Sequence, residues 1–123
     1  MDTDPLFSEA CQLSRKGLHT EALILLKQIV ASREDSRYLI AYGVCLQKLK
    51  HWKQSVAPLE RGISLKPLYG EGDARLYLAE AYLMSGNKSK GLQQLKVVAN
   101  MAPEYPSYEH VPDRAKELLT KHG

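Results

Sequence analysis

The side chains that most often carry chemistry in proteins are scattered along this sequence. Its histidines are His19, His51, His110 and His122. They fall in predicted turns or in the C-terminal tail, without the spacing that zinc ligands show. The two cysteines, Cys11 and Cys45, are far apart in sequence. We therefore expect structural or solvated roles for these residues and predict no metal, no cofactor and no disulfide framework.

No local motif arranges a nucleophile or cradles a phosphate group. Gly70, Glu71 and Gly72 form a short glycine-containing stretch, but a phosphate-binding loop also needs a preceding strand and further residues after the glycines. Serine, histidine and acidic residues occur without the arrangement that activates a nucleophile. We predict that the chain is not an enzyme.

The clearest pattern is a pair of amphipathic helices between residues 39 and 67. Apolar and small residues recur there at three- and four-residue spacing, which places them on one helical face. Pro67 ends the second helix because proline cannot donate the next backbone hydrogen bond. The residues of the two faces are Leu39, Tyr42, Gly43 and Leu46, then Ser55, Val56, Leu59, Gly62 and Ile63.

The same pattern occurs once upstream and once downstream. The small residues Ala22, Ser55 and Gly91 mark the repeat, at intervals of 33 and 36 residues, close to the roughly 34 residues of a tetratricopeptide unit. The sequence resembles the tetratricopeptide repeat (TPR) family over residues 4 to 103. The first unit is the weakest, with Glu34 in place of the closing proline. The matching residues of the third unit are Leu78, Ala79, Tyr82, Gly86, Gly91, Leu95, Val98 and Pro103.

This resemblance implies an all-α fold, a right-handed superhelix of three helix–turn–helix repeats in a single domain. We expect the repeats at about 4–36, 37–70 and 73–104, followed by a capping tail over 105–123. The expected helix caps are Thr20, Asp35 or Ser36, and Asp73. In the tail, Pro103 and Pro106 interrupt regular helix, and a short helix from Pro112 covers the last apolar surface, as repeat arrays require.

Composition agrees with a small globular protein. The chain has 123 residues, of which 44% are hydrophobic and 25% charged, and a pI near 8.8. No apolar run approaches the roughly 20 residues of a membrane span, and the acidic, polar N-terminus is unlike a secretory signal. We predict a cytoplasmic protein with reduced thiols.

The resemblance also nominates a binding site. In TPR proteins the first helix of each repeat lines a concave groove, and the corresponding places here begin with Asp4, Phe7, Cys11 and Ser14. The others are Arg37, Ile40, Val44 and Gln47, then Asp73, Leu76, Glu80 and Leu83. Much of this set is apolar, so we expect the groove to receive an amphipathic helix or an extended peptide from a protein partner. The alternatives are that the protein's own N-terminal residues, its tail or another copy, in a homo-oligomer, fills it.

Four further expectations follow. TPR co-chaperones that hold the EEVD tail of heat-shock chaperones use a carboxylate clamp, which the residues at the corresponding places, Phe7, Cys11, Ala41, Asp73 and Tyr77, do not provide. The apolar groove looks more like those of TPR secretion chaperones or of the TPR-like mitochondrial fission adaptor. Lysines on the second helices indicate a solvated convex face and no nucleic-acid partner. Replacing Ile40, Val44 or Leu76 is expected to cost little stability.

Overall fold

The computed structural model describes residues 4–102 and 110–123, and within these ranges it contains seven α-helices and no strand. The all-α prediction is confirmed. The helices are α1 (Asp4–Arg15), α2 (His19–Ser32), α3 (Ser36–Lys48), α4 (Trp52–Ser64), α5 (Glu71–Met84), α6 (Lys88–Ala99) and α7 (His110–His122).

Three turns of the same construction join α1 to α2, α3 to α4, and α5 to α6. Each contains one residue with positive φ, two positions before the next helix: Gly17 at 80°, Lys50 at 64° and Gly86 at 88°. The residue after it donates its backbone N–H five residues back, which is the Schellman closure of a helix. The three bonds are Leu18 N to Leu13 O at 2.9 Å, His51 N to Leu46 O at 2.9 Å and Asn87 N to Tyr82 O at 2.8 Å.

These three-residue turns make the paired helices antiparallel neighbours. Within each of the second and third pairs, a glycine lets the helices approach closely. A Cβ atom on Gly62 of α4 would lie 2.7 Å from Ile40 Cγ1 of α3, and one on Gly91 of α6 would lie 2.9 Å from Leu83 Cγ of α5. Gly91, one of the small residues that marked the repeat in the sequence, is therefore a place where two helices touch.

The buried side chains form three successive clusters along the array. The first surrounds Tyr38 and Leu26, the second Leu59 and Leu78, and the third Leu95. Helix α7 completes the third cluster, since the buried residues Val111 and Ala115 pack in it with Leu95 and Val98. The tail covers the apolar surface that the sequence predicted it would cover.

Several predicted details of the helices need comment. Asp35 caps α3 as expected, with its side chain accepting a hydrogen bond from Arg37 N at 2.9 Å. The prediction for Thr20 was wrong: α2 already begins at His19, because the Schellman turn sets the cap position at Leu18. The prediction for Asp73 was also wrong, since α5 begins at Glu71 with Gly70 at the N-cap.

The remaining points concern the prolines and the length of the helices. Helix α4 continues through Pro58 without interruption. The helix-breaking role predicted for Pro103 and Pro106 falls outside the described residues. Among the described helices, none combines the length and the apolar character needed to cross a membrane.

Candidate functional site

The odd-numbered helices form one layer of the molecule, and two open pockets lie along it. The N-terminal pocket has a volume of about 390 Å³, and the C-terminal pocket about 460 Å³. The N-terminal pocket is lined by Ala10, Cys11, Ser14, Arg15, His19, Leu26, Ala41, Val44, Cys45 and Lys48. The C-terminal pocket is lined by Asp73, Leu76, Tyr77, Ala79, Glu80, Leu83, Met84, Arg114, Leu118, Lys121 and His122.

The N-terminal pocket is apolar in its interior. Burial raises the pKa of the Cys11 thiol above its ordinary value, and burial does the same for the pKa of Cys45. Cys45 Sγ also donates a hydrogen bond to the backbone oxygen of His19 at 3.2 Å. Both thiols are therefore neutral at neutral pH and behave as small apolar groups. Among the described residues that line this pocket, Arg15 and Lys48 carry full charges, and both are exposed.

A polar crossing between α3 and α5 lies between the two pockets. Gln47 is buried, with only 4% of its surface exposed, and its Nε2 donates to the backbone oxygen of Tyr77 at 3.1 Å. The ammonium of Lys48 lies 5.9 Å from the centre of the Tyr77 ring. These contacts connect α3 to α5 in the middle of the layer of odd-numbered helices and lie between the two pockets of the groove.

The C-terminal pocket combines an apolar floor with charged walls. Leu76, Leu83 and Leu118 are half-buried around it. Helix α5 contributes carboxylates from Asp73 and Glu80, whereas α7 contributes basic groups that include Arg114 and Lys121. An amphipathic segment fits such a pocket, since its apolar side chains can cover the leucines while its polar groups meet the rims.

The predicted groove residues separate into two sets. Leaving aside Asp4, seven line the pockets: Cys11, Ser14 and Val44 in the N-terminal one, and Asp73, Leu76, Glu80 and Leu83 in the C-terminal one. The other four, Phe7, Arg37, Ile40 and Gln47, line neither.

These four residues contact other parts of the protein instead. The Phe7 ring packs on Tyr38, with 4.8 Å between the ring centroids. Arg37 forms an ion pair with Asp35 at 3.3 Å and lies over the Tyr38 ring. Ile40 contacts α4, because Gly62 leaves room for it there. This contact favours a larger stability cost for replacing Ile40 than the repeat pattern predicts.

Sequence reasoning considered the tail as an occupant of the groove but did not predict that it forms one of the groove's walls. Arg114, Leu118, Lys121 and His122 of α7 form one wall of the C-terminal pocket. The sequence signal was present, because Leu118 belongs to the apolar stripe of the tail helix, but that stripe was interpreted only as a cap. Helix α7 does both, with Val111 and Ala115 in the core and Leu118 at the pocket.

In the part of the chain that the structure describes, no group of three or more histidine, cysteine or acidic side chains is placed to hold a metal ion. The pockets offer surface contacts and hydrogen bonds, and the chemistry they support is recognition.

Comparison with known proteins identifies the fold. No family model and no curated protein sequence matches the chain. Among solved structures, the type III secretion translocator chaperone SycD of Yersinia enterocolitica matches with a TM-score of 0.88 at 18% identity, over 97% of this chain and 81% of that one. A complex of SycD with a peptide of the translocator YopD matches with a TM-score of 0.86 at 18% identity, over 97% and 90%.

PcrH is known from Pseudomonas aeruginosa. Its complex with the chaperone-binding region of PopD matches with a TM-score of 0.87 at 19% identity, over 97% of this chain and 89% of that one. These matches extend over nearly the whole chain, so the similarity covers all three helix pairs and α7. The chain has the TPR-like helical-repeat fold that these chaperones share.

Proposed function

We propose that this protein is a non-catalytic interaction module that binds a segment of a protein partner in the groove along its odd-numbered helices. The observation that carries this proposal is the pair of open pockets on one layer, separated only by the crossing at Gln47 and Tyr77. A helix or an extended peptide lying along the layer reaches both pockets. This proposed site does not include Phe7, Arg37, Ile40 or Gln47.

The two pockets accept different parts of such a segment. The N-terminal pocket, with its neutral thiols beside Val44, takes apolar side chains. The C-terminal pocket takes apolar side chains next to charged ones, because Glu80 and Lys121 lie on opposite walls. Two of the structural neighbours were solved with a bound segment of a translocator, which supports a chaperone-like or adaptor role for this fold.

Self-association is the alternative use of the groove. The described part of the tail forms a wall of the C-terminal pocket and does not enter the N-terminal one. A second copy therefore remains the competing occupant. Size-exclusion chromatography with light scattering distinguishes the two: a monomer at all concentrations supports a partner segment, and a concentration-dependent dimer abolished by Val44→Asp supports self-association.

A capture experiment tests the site. The full chain is immobilised and incubated with native lysate, in parallel with Val44→Asp/Leu76→Asp and with a matched convex-face pair, Lys27→Glu/Lys96→Glu. Each apolar groove side chain buried against a partner contributes roughly 1.5–3 kcal/mol, so the groove pair should weaken binding on the order of 10²–10⁴-fold. The convex pair should retain the partner. Loss of binding in the convex pair alone contradicts the proposed site, and circular dichroism controls for folding.

We also infer a cytoplasmic setting. Cys11 and Cys45 are both free thiols, and both are accounted for as apolar side chains at the N-terminal pocket. Reduced thiols of this kind are usual in the cytoplasm.

A further inference from the structure

The charged residues are divided unevenly between the two edges of the helix layers. Alternating antiparallel helices place the three Schellman turns, at residues 16–18, 49–51 and 85–87, on one edge. The connections at residues 33–35 and 65–70 lie on the other. We call the first edge the basic edge and the second the mixed edge.

The basic edge carries eight of the chain's seventeen lysines and arginines, within a few residues of the three turns and at the end of α7. They are Arg15, Lys16, Lys48, Lys50, Lys53, Lys88, Lys90 and Lys121. All eight are exposed, and Glu21 is the one acidic residue that the same segments contain. None of the eight forms an ion pair with an acidic residue that the structure describes.

Shared pockets show that these residues form one continuous surface. Arg15 and Lys48 line the same pocket, which connects the first turn to the end of α3. A shallow pocket of about 450 Å³ brings the second turn, with Lys50 and Lys53, against Met84 at the third. Met84 in turn shares the C-terminal pocket with Lys121. The basic edge therefore runs without a break from α1 to α7.

The mixed edge is neutralised by its own ion pairs. Arg61 near the end of α4 pairs with Glu34 of the connection at residues 33–35, Arg37 pairs with Asp35 at 3.3 Å, and Arg75 pairs with Glu71 at 3.0 Å. The net charge of the whole chain is only +3, so the asymmetry arises from how the charges are distributed. An edge without its own counterions attracts an anionic surface.

Apolar side chains are interspersed among the cations of the basic edge. Leu18 is 41% exposed in the first turn and Met84 is 57% exposed beside the third. Trp52, at the second turn, is half-buried. Such side chains enter the boundary between lipid headgroups and acyl chains, with lysines reaching the phosphates around them.

We propose that the basic edge docks this protein on an anionic membrane surface, through the headgroups of acidic phospholipids. Seven of its eight cations are lysines, which act as point charges and do not make the bidentate contacts by which arginine selects a particular base or carboxylate. A line of short turns is also a poor platform for stacking nucleic-acid bases, which requires a row of aromatic side chains.

Docking through the edge leaves the groove open, because the groove lies on the face of the odd-numbered helices. The two surfaces adjoin, since Arg15, Lys48, Met84 and Lys121 of the basic edge also line the rims of the two pockets. Near a surface rich in acidic lipids, each lysine strengthens partitioning by about fivefold. This attraction falls off within a Debye length, about 8 Å at physiological salt.

Vesicle co-sedimentation of the full chain tests the proposal. The vesicles contain equal parts of phosphatidylglycerol and phosphatidylcholine, or phosphatidylcholine alone. The wild type should bind the anionic vesicles, lose binding at high salt and ignore the neutral ones. Lys16→Glu/Lys53→Glu/Lys88→Glu should weaken binding roughly a hundredfold. Lys27→Glu/Lys66→Glu/Lys96→Glu changes the net charge equally elsewhere on the molecule and should weaken it far less.

Two further variants separate the possible sources of binding. Leu18→Ser/Met84→Ser should weaken vesicle binding severalfold while leaving the salt dependence unchanged. Val44→Ser, which changes the groove without changing the charge, should have no effect on vesicles. Equal losses in the two charge-reversal triples, or no binding to anionic vesicles at low salt, overturn the proposal. So does tighter binding to polydeoxythymidine at the same salt, which would make the edge a nucleic-acid surface.

Discussion

Aliphatic side chains occur both at the seams between paired helices and in the groove along the odd-numbered helices, but they have different roles in the two places. At the seams, glycines at positions 43, 62 and 91 let large aliphatic side chains of the partner helix approach to van der Waals contact. In the groove, half-buried side chains such as Val44 and Leu76 face open pockets. Depth of packing, more than residue type, therefore separates the side chains that stabilise this molecule from those available for binding.

Ile40 and Leu83 blur this distinction in instructive ways. Ile40 occupies a groove place in the repeat pattern but contacts Gly62 at the seam. Leu83 contacts Gly91 at the seam and also lines the C-terminal pocket. A side chain on the first helix can thus serve both surfaces, and substitutions at such positions should change stability and binding together.

The largest effect is expected at the centre of the second cluster. Leu59 has no exposed surface and lies against Gly43, so Leu59→Ala should lower the free energy of unfolding by about 2–5 kcal/mol. Urea denaturation measures this change. The exposed Val97 of α6 provides the control, since Val97→Ala should stay within about 0.5 kcal/mol. Similar effects at both positions would mean that the seams do not dominate stability.

The next largest effect should come from filling a seam. Alanine is a better helix former than glycine by about 1 kcal/mol, but the added Cβ at position 62 would lie 2.7 Å from Ile40 Cγ1 and 3.2 Å from the Ile40 backbone nitrogen. Gly62→Ala should therefore destabilise the protein by about 1–3 kcal/mol. Chemical denaturation measures the change. If the two helices do not meet at Gly62, the substitution should stabilise the protein.

Ile40 provides a direct comparison of the two surfaces. Ile40→Ala should cost about 1–2 kcal/mol of stability, less than a fully buried isoleucine because Ile40 is only half-buried. It should also reduce the cost of Gly62→Ala in a double-mutant cycle, since it removes the nearest atom. Val44→Ala should cost less stability and weaken partner binding more. If the stability costs of the two substitutions are additive, Ile40 and Gly62 are not in contact, and Ile40 belongs to the groove.

The smallest effect concerns a hydrogen bond between repeats. The Tyr82 hydroxyl donates to Glu60 Oε1 at 2.6 Å, and burial, reinforced by this carboxylate, raises the pKa of Tyr82 to about 12. Because the folded pKa lies above the ordinary value of 10, the stabilisation is complete below pH 10 and disappears as the pH rises to about 12. Ultraviolet titration should show a tyrosine that ionises near pH 12.

A matched variant isolates this hydrogen bond from the titration of other groups. Tyr82→Phe should lose roughly 1 kcal/mol or less at neutral pH, and the difference in stability from wild type should shrink between pH 10 and pH 12. If the difference in the free energy of unfolding between variant and wild type stays constant from pH 10 to pH 12, the Tyr82 hydroxyl does not donate to Glu60. The tyrosine that ionises near pH 12 should also be absent from the spectrum of the variant.

Much of the local structure was determined by the sequence. Glycines and apolar residues at helical spacing indicate helix pairs because each helix needs one face against a neighbour. The turns follow as well: Gly17 and Gly86 occupy positive-φ positions that favour glycine. Lys50 adopts the same conformation at the equivalent place, which its residue type would not have indicated.

The division of the groove was decided only by the tertiary structure. Helical periodicity places Ile40 and Val44 on one face, but the absence of a side chain at Gly62 draws Ile40 toward α4, while Val44 faces a pocket. The tail helix is set by its own sequence, yet its role as a pocket wall depends on where α5 ends. Likewise, the lysines of the basic edge are far apart in the chain and meet because alternating antiparallel helices return every Schellman turn to the same side.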